Sequence, residues 1–90
     1  MKIDEKLLER DFKALANRRR LVILRLLKRQ KRAAVWEIAD GIKLSFKATS
    51  KHLNILYVSG LVDKEQQSLS VRYFLKDGLR EPLLTVINSL

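Results

Sequence analysis

Up to about residue 60 the apolar positions of this chain recur at helical spacing; from Leu61 the period becomes that of strands. Leu8, Phe12 and Leu15 repeat every three or four residues, with Leu7 beside them. This predicts a helix over about 4–16. Asp4, Glu5 and Glu9 lie near its start, where the helix dipole favours negative charge. Asn17 is placed to cap a second helix over about 18–29. On its wheel Ile23, Leu26 and Leu27 fall on one side, and Arg18, Arg25, Lys28, Arg29 and Arg32 on the other. Arg20 lies toward the apolar side, so it is read as a structural arginine with a buried stem and a paired head.

The stretch Trp36 to Val62 is the most specific part of the pattern. A short helix is expected over about 35–41, with Val35, Ile38, Ala39 and Ile42 inward. Gly41 is expected to take the left-handed conformation that ends it. Ser45 can cap the next helix, about 46–59, which Gly60 then stops. Thr49, Leu53 and Leu56 point to the core side of that helix. Lys47, Ser50, Lys51 and Asn54 point outward, with charge and hydrogen-bonding groups but no large apolar residue. Two helices joined by so short a turn form a helix-turn-helix, whose second helix enters a DNA major groove. A packing helix can carry the same outward face, so the face alone does not decide the function.

Leu61-Val62 and Val71–Leu75 are β-prone, with a polar connection over 66–70. They predict a β-hairpin after the helix-turn-helix, the wing of a winged helix. Lys76-Asp77-Gly78 breaks the second strand, and 79–90 is expected to be helical, with Pro82 limiting its start. Leu79, Leu83, Leu84, Val86, Ile87 and Leu90 cover more than one face of that helix. The predicted fold is mainly α with a small hairpin (α+β), in the order α-α-α-α-β-β-α, as one domain over 1–90.

Composition sharpens this picture. With 47% apolar residues in 90, the chain can bury one small core. The apolar run Leu21–Leu27 is broken by Arg25, so neither a membrane span nor a signal peptide is expected. There is no cysteine, which excludes disulfides and thiolate metal sites. The net charge of +9 is concentrated between residues 14 and 32: eight basic side chains and no acidic one. Such a block attracts a polyanion, although a solvated helix face has the same composition. Beside a helix-turn-helix the nucleic-acid reading leads.

The segments FKALANRRRLVILRLL (12–27), VWEIADGIKLSFKATSKHLNILYVSGLVDKE (35–65) and VRYFL (71–75) are similar to the ArsR-type winged helix-turn-helix repressors. The resemblance spans nearly the whole chain. It implies a cytoplasmic transcriptional regulator, nucleoid-associated when bound, that grips operator DNA as a homodimer built through the first and last helices. Leu7, Leu83, Val86, Ile87 and Leu90, with Ile3, are the expected dimer contacts. The family's base-reading positions fall on Phe46, Lys47, Ser50 and Lys51, with Asn54 on the same face. Phe46 stands where a polar residue is usual. It either touches a thymine methyl group or packs on the core away from DNA, and packing is the expectation. Lys31 and Arg32, ahead of the third helix, and Arg72, on the second wing strand, are expected at phosphates. The wing tip lacks the basic residues and glycine common in the family, so deep minor-groove insertion is not expected.

Many members sense metals through a cysteine pair or a His/Asp set. This chain has neither, so no metal or other cofactor is expected. His52 is the only histidine and is read as structural. No motif supports enzymatic chemistry. Trp36 faces outward; its ring either rests partly on the first or last helix, which is the expectation, or contacts the DNA backbone or a partner. The main rival function is a winged-helix adaptor that binds protein without specific DNA binding. A basic RNA-binding protein is weaker, because aromatics for base stacking are few.

Overall fold

The computed structural model describes residues 4–90. Capping fixes where each helix begins. The Asp4 carboxylate accepts the Lys6 and Leu7 backbone N–H groups at 3.0 and 3.3 Å and opens α1 (Glu5–Leu15). Asn17 Oδ1 accepts the Arg20 N–H at 3.1 Å and opens α2 (Arg18–Gln30). α2 ends at Lys31, which adopts φ 72°. The chain then forms β1 (Arg32–Ala34) and passes directly into α3 (Val35–Ile42). The Glu37 carboxylate takes the Ala34 N–H at 2.8 Å, which satisfies one donor at the start of α3.

The end of α3 differs from expectation. Lys43, not Gly41, takes the left-handed conformation, at φ 58°. Gly41 stays helical, and a Cβ there would stand 2.8 Å from Leu26 Cδ1 of α2, so that leucine end would have to shift. Ser45 Oγ accepts the Ala48 N–H at 3.1 Å and starts α4 (Phe46–Val58). Gly60, at φ 79°, closes it as expected. Its N–H donates to Tyr57 O and the Leu61 N–H to Leu56 O, both at 3.0 Å. Those two bonds form a Schellman motif.

β2 (Val62–Gln67) and β3 (Ser70–Leu75) pair antiparallel from Val62↔Leu75 to Gln67↔Ser70. The turn is only Ser68-Leu69, so the polar stretch expected as a connection lies mostly inside the strands. Those residues stay polar because this end of the hairpin extends into solvent. The sheet also has a third strand: β1 pairs with β3, in order β1-β3-β2. Ala33 and Ala34 are buried there. The expected hairpin is therefore two strands of a three-stranded sheet. α5 (Glu81–Asn88) begins with Pro82 in its first turn, where a missing N–H costs nothing.

The helices and sheet share one core, in which Ile23, Leu24, Leu27, Ile38, Leu53 and Leu56 are essentially inaccessible. Phe12 is exposed, because α1 turns Asp11, Ala14 and Leu15 to the core. Asp11 is 2% exposed. It accepts Arg10 at 3.1 Å and Arg80 at 2.8 Å. Arg10 also donates to Ser59 O at 2.9 Å. This node joins α1 to the end of α4 and the start of α5. Nothing local in the sequence announces it, since Asp11 and Arg80 are 69 residues apart.

Candidate nucleic-acid interface

α4 separates its faces as the wheel predicts. Thr49, Leu53 and Leu56 are buried. Lys47, Lys51 and Asn54 are exposed and Ser50 is half-buried. The helix carries no acidic residue, and neither lysine forms an ion pair among the described residues. Phe46 overturns the packing expectation. It is 60% exposed at the first helical position. Trp36, in the first turn of α3, is 64% exposed, so its ring is not substantially covered by another helix.

α4 is held against α1 and α2 by Arg20. Its guanidinium donates to Ala14 O at 2.6 Å and Lys13 O at 3.2 Å, and approaches His52 Nδ1 at 3.3 Å. Arg20 is thus structural, as expected, but its head is paired with carbonyls and an imidazole rather than a carboxylate. Arginine has donors only, so His52 Nδ1 is the acceptor in this contact and carries no proton. Burial, then the Arg20, Arg19 and Lys51 cations, push the His52 imidazole below its ordinary value of 6.5.

The remaining expected contacts divide. Lys31 is exposed at the end of α2. Arg32 lies over the Phe74 ring, 4.4 Å from its centre, and pairs with Glu65. Arg72 lies opposite Glu65 in the register and 4.0 Å from Glu37. The two arginines therefore share the outer face of the sheet with two carboxylates. Lys28 of the basic block donates to Asn88 O at 2.7 Å, a helix C-terminus that favours a cation. Sequence reading missed Glu37 and Glu65 as partners; pairing across a sheet has no signal until the register is known. It also missed Leu69, which is fully exposed at the wing tip.

At the expected dimer surface, Leu83 and Ile87 are buried in the chain's own core and are not available as surface contacts. Helix α5 begins at Glu81, and that phase turns these two inward. Leu7 and Leu84 are exposed, and Val86 and Leu90 half-buried. Ile3 lies outside the described residues.

Residues 17–64 match the bacterial regulatory proteins of the arsR family. The chain belongs to the arsR family. A cadmium resistance transcriptional regulatory protein, CadC, of Listeria innocua is 38% identical over 66 residues, covering 73% of this chain and 56% of that protein. The chain thus spans little more than half the length of that relative. HlyU from Vibrio cholerae superposes with a TM-score of 0.83 at 30% identity, covering 99% of this chain and 92% of that one. The homodimeric winged helix-turn-helix DNA-binding domain of a possible ArsR-family regulator from Mycobacterium bovis gives 0.80 at 30% identity, covering 93% and 74%. The fold is the family's winged helix-turn-helix.

The name of the Listeria protein raises cadmium, and the residues present here do not fit it. A soft ion is held by thiolates, and the sequence has no cysteine. Among the described residues no three His, Asp or Glu side chains gather into a possible metal site. No helix among them is long and apolar enough to cross a membrane.

Proposed function

We propose that this regulator binds a specific operator as a homodimer, with α4 in the major groove, and acts as a repressor. The observation that carries the reading is the outward face of α4: Lys47, Ser50, Lys51 and Asn54 offer donors and acceptors with no carboxylate among them. Phosphate repulsion is absent there, and base edges are read by such groups. Lys31 serves as a phosphate contact. Arg32 and Arg72 would meet phosphate in competition with their neighbouring carboxylates. Two half-sites about 34 Å apart require two linked copies of α4. Exposed Leu7 and Leu84, with half-buried Val86 and Leu90, supply apolar surface on α1, on α5 and just beyond its end for that linkage. DNA binding is independent of metal, in keeping with the missing thiolates, and the protein works in the cytoplasm on the nucleoid.

Selection of bound sequences from a random duplex pool tests the reading. A recurring inverted repeat is the expected result; recovery of unrelated duplexes with equal affinity would favour the protein-binding adaptor. Sedimentation at micromolar concentration tests the dimer, with Leu84→Glu as the disrupting variant. Ile87 is unsuitable for that purpose, because a charge there breaks the core. A chelator is expected to leave operator affinity unchanged.

A further inference from the structure

The exposed start of α4 carries one group that cannot hydrogen-bond. Phe46 stands at the first helical position, 60% exposed, with Ser50 one turn on. Helix capping does not require it: Ser45 already supplies the cap through the Ala48 N–H. Core packing does not use it, since the buried residues of this helix are Thr49, Leu53 and Leu56. A phenyl ring left in water at the leading end of the helix gains only if something apolar covers it. N-terminal residues of a recognition helix are the ones that meet base edges. In the major groove the only apolar feature of those edges is the thymine 5-methyl group. The other large exposed apolar side chains of this helix, Tyr57 and Val58, lie at its far end, about 16 Å along the axis.

We propose that Phe46 is a specificity-determining residue that reads thymine through its methyl group, making each half-site depend on a thymine under the start of α4. The lysines and Ser50 fix the helix in the groove; Phe46 distinguishes thymine from cytosine at one position by apolar contact. The inference rests on the operator-binding reading above, and the test separates the two.

Duplexes are first selected from a random pool with the wild-type chain. In the tightest one, each thymine is replaced singly by deoxyuridine, which removes the methyl group and leaves base pairing unchanged. One thymine per half-site is expected to show about fourfold weaker binding on replacement, the effect of one methyl-sized apolar contact. Phe46→Ala is expected to weaken the thymine duplex and to bind thymine and uracil duplexes equally. Phe46→Leu, still apolar, should retain part of the discrimination. Indifference of the wild-type chain to every replacement overturns the proposal. So does a thymine preference that survives Phe46→Ala unchanged, or a Phe46→Ala variant with undiminished affinity and selectivity. Failure to select any sequence overturns operator binding itself, and the Phe46 proposal with it. Circular dichroism melting of both variants guards against a folding artefact, and an exposed first-turn residue is expected to leave it nearly unchanged.

Discussion

The chain holds two kinds of basic surface. On α4, Lys47 and Lys51 stand exposed without an ion pair among the described residues. On the outer face of the sheet, Arg32 and Arg72 lie against Glu65 and Glu37. All four residues were expected at DNA, and on charge alone they are equivalent. They differ in what a phosphate must displace. An unpaired lysine exchanges water and counterions for phosphate, and the released ions favour binding. At a paired arginine phosphate competes with a carboxylate, which remains near the DNA as a repulsive charge. Net charge therefore overstates the surface available to a polyanion. The free set lies on α4, the element proposed to enter the groove, and the paired set braces the sheet.

The strongest form of pairing is at Asp11, whose carboxylate is nearly inaccessible while Arg10 and Arg80 remain 47% and 42% exposed. Asp11→Ala removes the acceptor for both and unties α1 from the start of α5. A fully buried pair costs about 3–5 kcal/mol to break; with both arginines still reaching solvent, about 2–3 kcal/mol is expected. Urea denaturation measures it. A loss below about 0.5 kcal/mol would mean that pairing braces nothing, and the contrast between the two surfaces would weaken.

The free set is tested by Lys51→Ala. If this lysine meets a base, affinity for the selected duplex falls by about 1–3 kcal/mol, and discrimination against a scrambled duplex falls with it. If it meets only phosphate, all duplexes weaken alike and the salt slope drops by about one. Titrations of selected and scrambled duplexes across a salt series distinguish these outcomes. Arg32→Ala, from the paired set, is expected to change affinity less than threefold, about 0.65 kcal/mol. Equal losses from Lys51→Ala and Arg32→Ala would erase the distinction.

How far the sequence revealed this surface depends on how local each cause is. The two faces of α4 were legible because one helical period separates Lys47, Ser50, Lys51 and Asn54 from Thr49, Leu53 and Leu56. The caps at Asn17 and Ser45 and the stop at Gly60 were legible for the same reason: each acts within a few residues. β1 was not, because three residues carry no period and Ala33 and Ala34 have weak strand preference. Gly41 was misread because Lys43, a residue other than glycine, takes the left-handed conformation instead. Phe46 was misread because an aromatic ring beside a core helix usually packs, and only the three-dimensional surroundings show that nothing covers it. The burial of Leu83 and Ile87 depended on the starting residue of α5, which Pro82 constrains but does not determine.

A smaller effect is expected from Glu65→Gln. It keeps the side chain's shape while releasing Arg32 from its ion pair. A half-exposed pair contributes about 0.2–1 kcal/mol, so the melting temperature should fall only slightly. Removing one negative charge takes the net charge of +9 to +10. Affinity for unrelated duplexes should rise, and the salt slope steepen by up to about one, if the freed arginine finds a phosphate. A drop in non-specific affinity would show instead that Glu65 positions Arg32 for DNA, and would move Arg32 into the reading set.

The smallest expected effect concerns His52, which is basic only conditionally. It sits on α4 with Nδ1 turned to Arg20, and burial together with Arg20, Arg19 and Lys51 holds its imidazole below 6.5. The unfolded chain, with an ordinary histidine, binds this proton more readily than the fold does. Stability from the neutral imidazole is therefore fully present above about 6.5 and declines as pH falls through that value toward the lower folded one. Protonation replaces the Arg20 contact with repulsion between two cations, at the point where Arg20 holds the Lys13 and Ala14 carbonyls. The expected observation is a urea midpoint that decreases from pH 8 to pH 5.5 in the wild-type chain. His52→Gln, which cannot titrate, should flatten the decrease while lowering the midpoint at pH 8 modestly. His52 is the only histidine, so no other imidazole contributes in this range. An identical decrease in the variant would assign the pH dependence to carboxylates, and His52 would then be a packing residue whose charge the fold does not sense.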